Sequence, residues 1–99
     1  MNVRQPLINL LQSLLADTMV LHQQGAGYYS TIPIVRRYNK LLDQSASLFP
    51  QANGLFSTFQ KIDEKDPKDP ADKMIVMQEL RIEIGQLVTL LKSLAEETA

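Results

Sequence analysis

The sequence predicts an all-α protein: a small antiparallel bundle of three main helices plus one short helix, with a long C-terminal amphipathic helix. Three observations predict it. Apolar residues recur at three- and four-residue steps along most of the chain, the period of a helical face. Prolines stand where helices would start or stop, at Pro6, Pro33, Pro50 and Pro70. The segments between are a glycine turn, Gly25-Ala26-Gly27, and a charged, proline-broken stretch from Asp63 to Asp69, both suited to connections.

Composition sets the bounds. Ninety-nine residues, of which 44% are hydrophobic and 21% charged, suffice for one core, so a single domain over 1–99 is expected and disorder is not. Ten basic residues against eleven acidic ones give a net charge of -1, which provides no general field for nucleic acid or an acidic membrane. Cysteine is absent, which excludes disulfides, thiolate metal sites and thiol nucleophiles. Asn9, Gln12, Ser13 and Asp17 interrupt the apolar residues between Met1 and Val20, so this stretch reads as an amphipathic helix, not an export signal. A cytoplasmic location is expected.

The first helix is predicted over about 5–24. Leu7, Leu10, Leu11, Leu14, Leu15, Thr18 and Leu21 make its face, Ile8 and Met19 widen it, and Val20 falls outside. A second helix is predicted over about 31–49, capped by Ser30 or Thr31. Ile34, Val35, Tyr38, Leu41, Leu42, Ser45, Ala46, Leu48 and Phe49 gather on one side; Arg36, Arg37, Lys40, Asp43, Gln44 and Ser47 take the other. Leu55, Phe56, Phe59 and Ile62 predict a short third helix over about 54–62 that needs tertiary contact to form. Residues 63–69 then read as an exposed connector.

Asp69 is suited to cap the last helix, with Pro70 at its first position and Asp72 favourable against the helix dipole, and this helix is predicted over about 70–97. Met77, Leu80, Ile84, Leu87, Leu91 and Leu94 step by three and four, as heptad a and d positions do. The run is under three heptads, so a bundle seam is the reading. Gly85, beside this stripe, would let a neighbouring backbone come close. Ile75 and Ile82, seven residues apart, fall opposite the stripe at 100° per residue and require a cover. Phe56, Phe59 and Ile62 could supply it, or a second copy of the chain in a two-fold dimer.

No catalytic, cofactor-binding or metal-ligating constellation emerges, so neither an enzyme nor a small-molecule substrate is inferred. His22 is the single histidine, and Asp17 lies about 140° away from it around the helix, so they form no local pair. Glu79 and Glu83 lack the histidine that a carboxylate metal site in a bundle would add. Arg36, Arg37 and Lys40 form the one tight basic cluster, interrupted by Asp43; solvated surface is the plain reading, a site for an acidic protein partner the next and nucleic acid the last. Tyr28 and Tyr29 follow the glycine turn, where they cover the end of the core or serve as contact residues. The functional expectation is a protein-binding adaptor, subunit or oligomerisation module, using Ile75, Ile82, Tyr28 and Tyr29, whose partner could be a second copy. The alternative is an accessory or regulatory protein that binds nucleic acid through Arg36, Arg37 and Lys40.

Overall fold

In a computed structural model describing residues 4–24, 30–64 and 67–97, the chain folds into helices α1 (Arg4–Gln24), α2 (Ile32–Leu48), α3 (Asn53–Phe56) and α4 (Pro70–Glu97). A single 3-10 turn, Pro50–Ala52, joins α2 to α3, and no strand occurs among the described residues. The fold is all-α. Its extents are 44 × 22 × 17 Å, and the long dimension is about the length of α4 at 1.5 Å per residue.

The core forms where the stripes meet. Met77, Leu80, Ile84, Leu87 and Leu91 of α4 are completely inaccessible, and Leu94 is buried below them. Leu7, Ile8, Leu11, Leu14 and Thr18 of α1 pack in the same cluster or line it, α1 having its most extensive contact with α4. The α2 face closes the third side through Ile34, Val35, Tyr38, Leu41 and Leu42, while Arg36, Arg37, Lys40, Asp43, Gln44 and Ser47 are exposed, as the pattern predicts. These contacts fit an antiparallel course for the first two helices. Two α1 residues depart from expectation: Leu10 and Met19 are exposed, because the buried seam follows Leu7, Leu11, Leu14 and Thr18, which fit between α2 and α4, and these two lie at its margins.

Local chemistry sets the ends. Pro50 stops α2 at Leu48, and Phe49 and Phe56 stack at 6.2 Å between ring centroids to close that end of the core. At the start of α2, Thr31 takes the N-cap position and the Ser30 hydroxyl accepts the Ile32 N–H at 3.3 Å. The Asp69 carboxylate accepts the Ala71 N–H at 2.9 Å, and its carbonyl accepts the Lys73 N–H at 3.1 Å, which makes it the cap of α4. The third helix is shorter than the predicted 54–62. It ends at Phe56, where Ser57 and Thr58 donate their hydroxyls back to the carbonyls of Gly54 and Leu55 and the backbone tightens to three-residue hydrogen bonds.

The glycine turn with Tyr28 and Tyr29 lies outside the described residues, as do Lys65 and Asp66 of the connector. Replacing Leu80 with Ala should cost about 2–5 kcal/mol in denaturant titration, the range for truncating a fully buried leucine. The same change at Ile82 should cost under about 0.5 kcal/mol, as for an exposed site; equal losses at both positions would reject this assignment of faces.

Candidate functional site

The segment after α3 runs beside the outer face of α4. Asn39, on the edge of the α2 face, makes a reciprocal pair with the backbone of Ile62: its amide nitrogen donates to the carbonyl at 2.8 Å and its oxygen accepts the N–H at 3.0 Å. An ion pair flanks it on each side. Lys61 Nζ lies 2.9 Å from Asp43 Oδ2, and Arg36 Nη2 lies 3.2 Å from Glu64 Oε2. The partners on α2 run backwards, 43, 39, 36, as those on the segment run forwards, 61, 62, 64. Seven helical residues rise about 10 Å, and three extended residues cover the same distance, so the two registers match. The segment therefore lies antiparallel along α2 in extended form, and Ile62 packs against the core from outside.

A groove of ≈ 690 Å³ opens between this segment and α4. Its apolar wall is Ile62, Val76 and Ile82; Asp63, Glu79 and Glu83 supply carboxylates. Within it, Glu83 accepts a hydrogen bond at 3.3 Å from the hydroxyl of Tyr38, a residue of the buried α2 face. Burial first, then the Glu83 charge and this hydrogen bond, push the Tyr38 phenol well above its ordinary range.

The predicted contact residues Ile75 and Ile82 stand on the outside of α4, 53% and 64% exposed. Phe56 is buried in the core, and Phe59 and Ile62 pack against it, so the residues predicted as a possible cover leave Ile82 largely open. Ala71, Ile75, Gln78, Ile82, Gly85 and Thr89 form an uncharged second stripe at four- and three-residue steps. At Gly85 a Cβ would meet nothing within 4 Å, so no neighbour uses the space that glycine leaves.

In the basic cluster, Arg36 is engaged by Glu64, with its Nε also 3.3 Å from Oε1, while Arg37 and Lys40 are exposed. The cluster does not act as three free cations. His22 is exposed in the last turn of α1, and no group of three or more potential metal ligands occurs among the described residues. Among those residues, too, no helix is long and apolar enough to cross a membrane. No family model, curated protein or solved structure matches the chain.

Two predictions follow from this geometry. Asn39→Ala leaves both polar groups of Ile62 without their partner and should lower stability by about 1–3 kcal/mol, with faster tryptic cleavage after Lys61. Arg36→Ala, which removes only an exposed ion pair, should leave both readouts nearly unchanged. The Tyr38 shift sets a pH dependence with a definite sign: above about pH 10 the unfolded chain releases the phenol proton while the folded chain holds it, so stability falls as pH rises. Urea midpoints measured from pH 8 to 11 should therefore decline less in Tyr38→Phe than in the parent; parallel declines would remove the argument.

Proposed function

We propose that the chain is a cytoplasmic protein-binding module, an adaptor or subunit, and that the outer face of α4 is its contact surface. The observation that supports this reading is the exposure of Ile75 and Ile82 together. Single exposed apolar residues are ordinary on a protein surface, whereas β-branched ones a heptad apart on an uncharged stripe form a patch that water disfavours. Met74, also exposed, extends the patch at its N-terminal end.

A second copy is the simplest cover, but the charges speak for a different protein. A two-fold axis that lays Ile75 of one chain on Ile82 of the other passes between Gln78 and Glu79, which apposes the Glu79 carboxylates of both chains. In that register the flank of Glu79 and Glu83 meets its own copy and the flank of Arg81 meets its own copy, so no opposite charges meet. A parallel pairing sets Arg81 opposite Gln86 and Glu79 opposite Met74, again without an ion pair. Light scattering after size exclusion should give the monomer mass of 11.2 kDa. In affinity capture from the source cell, the parent chain should retain a protein that Ile75→Lys/Ile82→Lys loses. A dimeric mass that falls to monomer in the double variant would make the second copy the partner, and identical captures with an unchanged mass would reject the surface.

A further inference from the structure

The groove beside Ile82 carries charge information that the stripe alone lacks. Glu79 and Glu83 are one helical turn apart, and a like-charged pair at this spacing disfavours its own helix. No position three or four residues from either of them on α4 is Lys or Arg: Ile75, Val76, Leu80, Ile82, Gln86 and Leu87 occupy those places. Among the described residues the cation that lines the groove is Lys61, which is 2.9 Å from Asp43 on α2, and Glu83 has a neutral hydroxyl as its partner. Asp63 adds a third carboxylate at the margin. The groove thus joins an aliphatic wall to an acidic rim.

Resting on the reading of α4 as a contact surface, we propose that this groove binds a basic amphipathic helix of another protein. An aliphatic or aromatic side chain of that helix seats against Ile62, Val76 and Ile82, and a Lys or Arg one turn away lies between Glu79 and Glu83. The mode is helix-in-groove recognition: apolar anchors supply contact area and the charge pair fixes register. A partner acidic at this position would add to the repulsion that Glu79 and Glu83 already carry.

The test is fluorescence anisotropy of the full chain with a labelled peptide of about 14 residues, four helical turns, built from leucine at three- and four-residue steps and lysine elsewhere. One comparison peptide has its lysines replaced by glutamate, another its leucines by serine. The leucine–lysine peptide should bind the parent chain and bind Glu79→Lys and Ile82→Ser at least about tenfold more weakly, both variants keeping the parent circular dichroism. Unchanged affinity for either variant would overturn the proposal, as would equally tight binding of the serine–lysine peptide, which is charge attraction without the groove. Preference for the leucine–glutamate peptide, lost in Ile82→Ser, would overturn the acidic rim's role and leave the contact surface standing. If no peptide binds, the proposal fails; a dimeric mass lost in Ile75→Lys/Ile82→Lys then keeps the surface, and a monomeric mass with identical captures removes the surface as well.

Discussion

Burial of one stripe on α4 is the constraint on which the rest of the molecule depends. Met77, Leu80, Ile84, Leu87, Leu91 and Leu94 each contribute roughly 1.5–3 kcal/mol on leaving water, and no disulfide shares that task. A 28-residue helix is nearly as long as the molecule, so whatever covers its stripe must cover it along most of that length. α1 does so along one side through Leu7, Leu11 and Leu14 and α2 along the other through Val35, Tyr38 and Leu41. The same arrangement fixes what is left over: with α1 and α2 committed to the seam, the opposite side of α4 receives, among the described residues, the segment after α3, which reaches its margin at Ile62.

That segment is held chiefly by polar bonds, in contrast to the helices. The two Asn39 hydrogen bonds satisfy both backbone groups of Ile62, which would otherwise lie part-buried without partners. Ion pairs at Lys61 and Glu64 are exposed and add little energy; they lie in register with the Asn39 bonds along α2. The groove depends on this placement, since one of its walls is the segment itself.

Much of the fold was legible because its helices obey one rule at a time. On α2 every predicted apolar position is buried or half-buried and every predicted polar one exposed, since the helix buries apolar residues on one side only. The Asp69 cap and the Pro50 stop were legible for a different reason, that both act within a turn of chain. Leu10 and Met19 were misplaced because α1 meets two helices at once, and periodicity alone does not tell which of several adjacent apolar positions reaches the seam. The third helix was overextended because Leu55, Phe56, Phe59 and Ile62 have helical spacing, while the hydroxyls of Ser57 and Thr58 compete for the same carbonyls. Of the candidate site, Ile75 and Ile82 could be read from phase around the helix. The groove could not, because Asn39 and Ile62 are 23 residues apart and nothing local couples them.

The early end of α3 is what makes the groove possible. Had the helix continued through Ile62, the Ile62 N–H would bond to the Thr58 carbonyl inside the helix and would not be offered to Asn39. In extended form each residue advances more than twice as far as in a helix, and the segment runs beside α2 with Ile62 both packed against the core and lining the groove, and Asp63 at the groove's margin. The hydroxyl bonds that stop α3 therefore have a consequence well beyond their own turn. They release the strand-like segment that turns an exposed apolar stripe on α4 into a walled surface, with aliphatic contact on one side and carboxylates on the other.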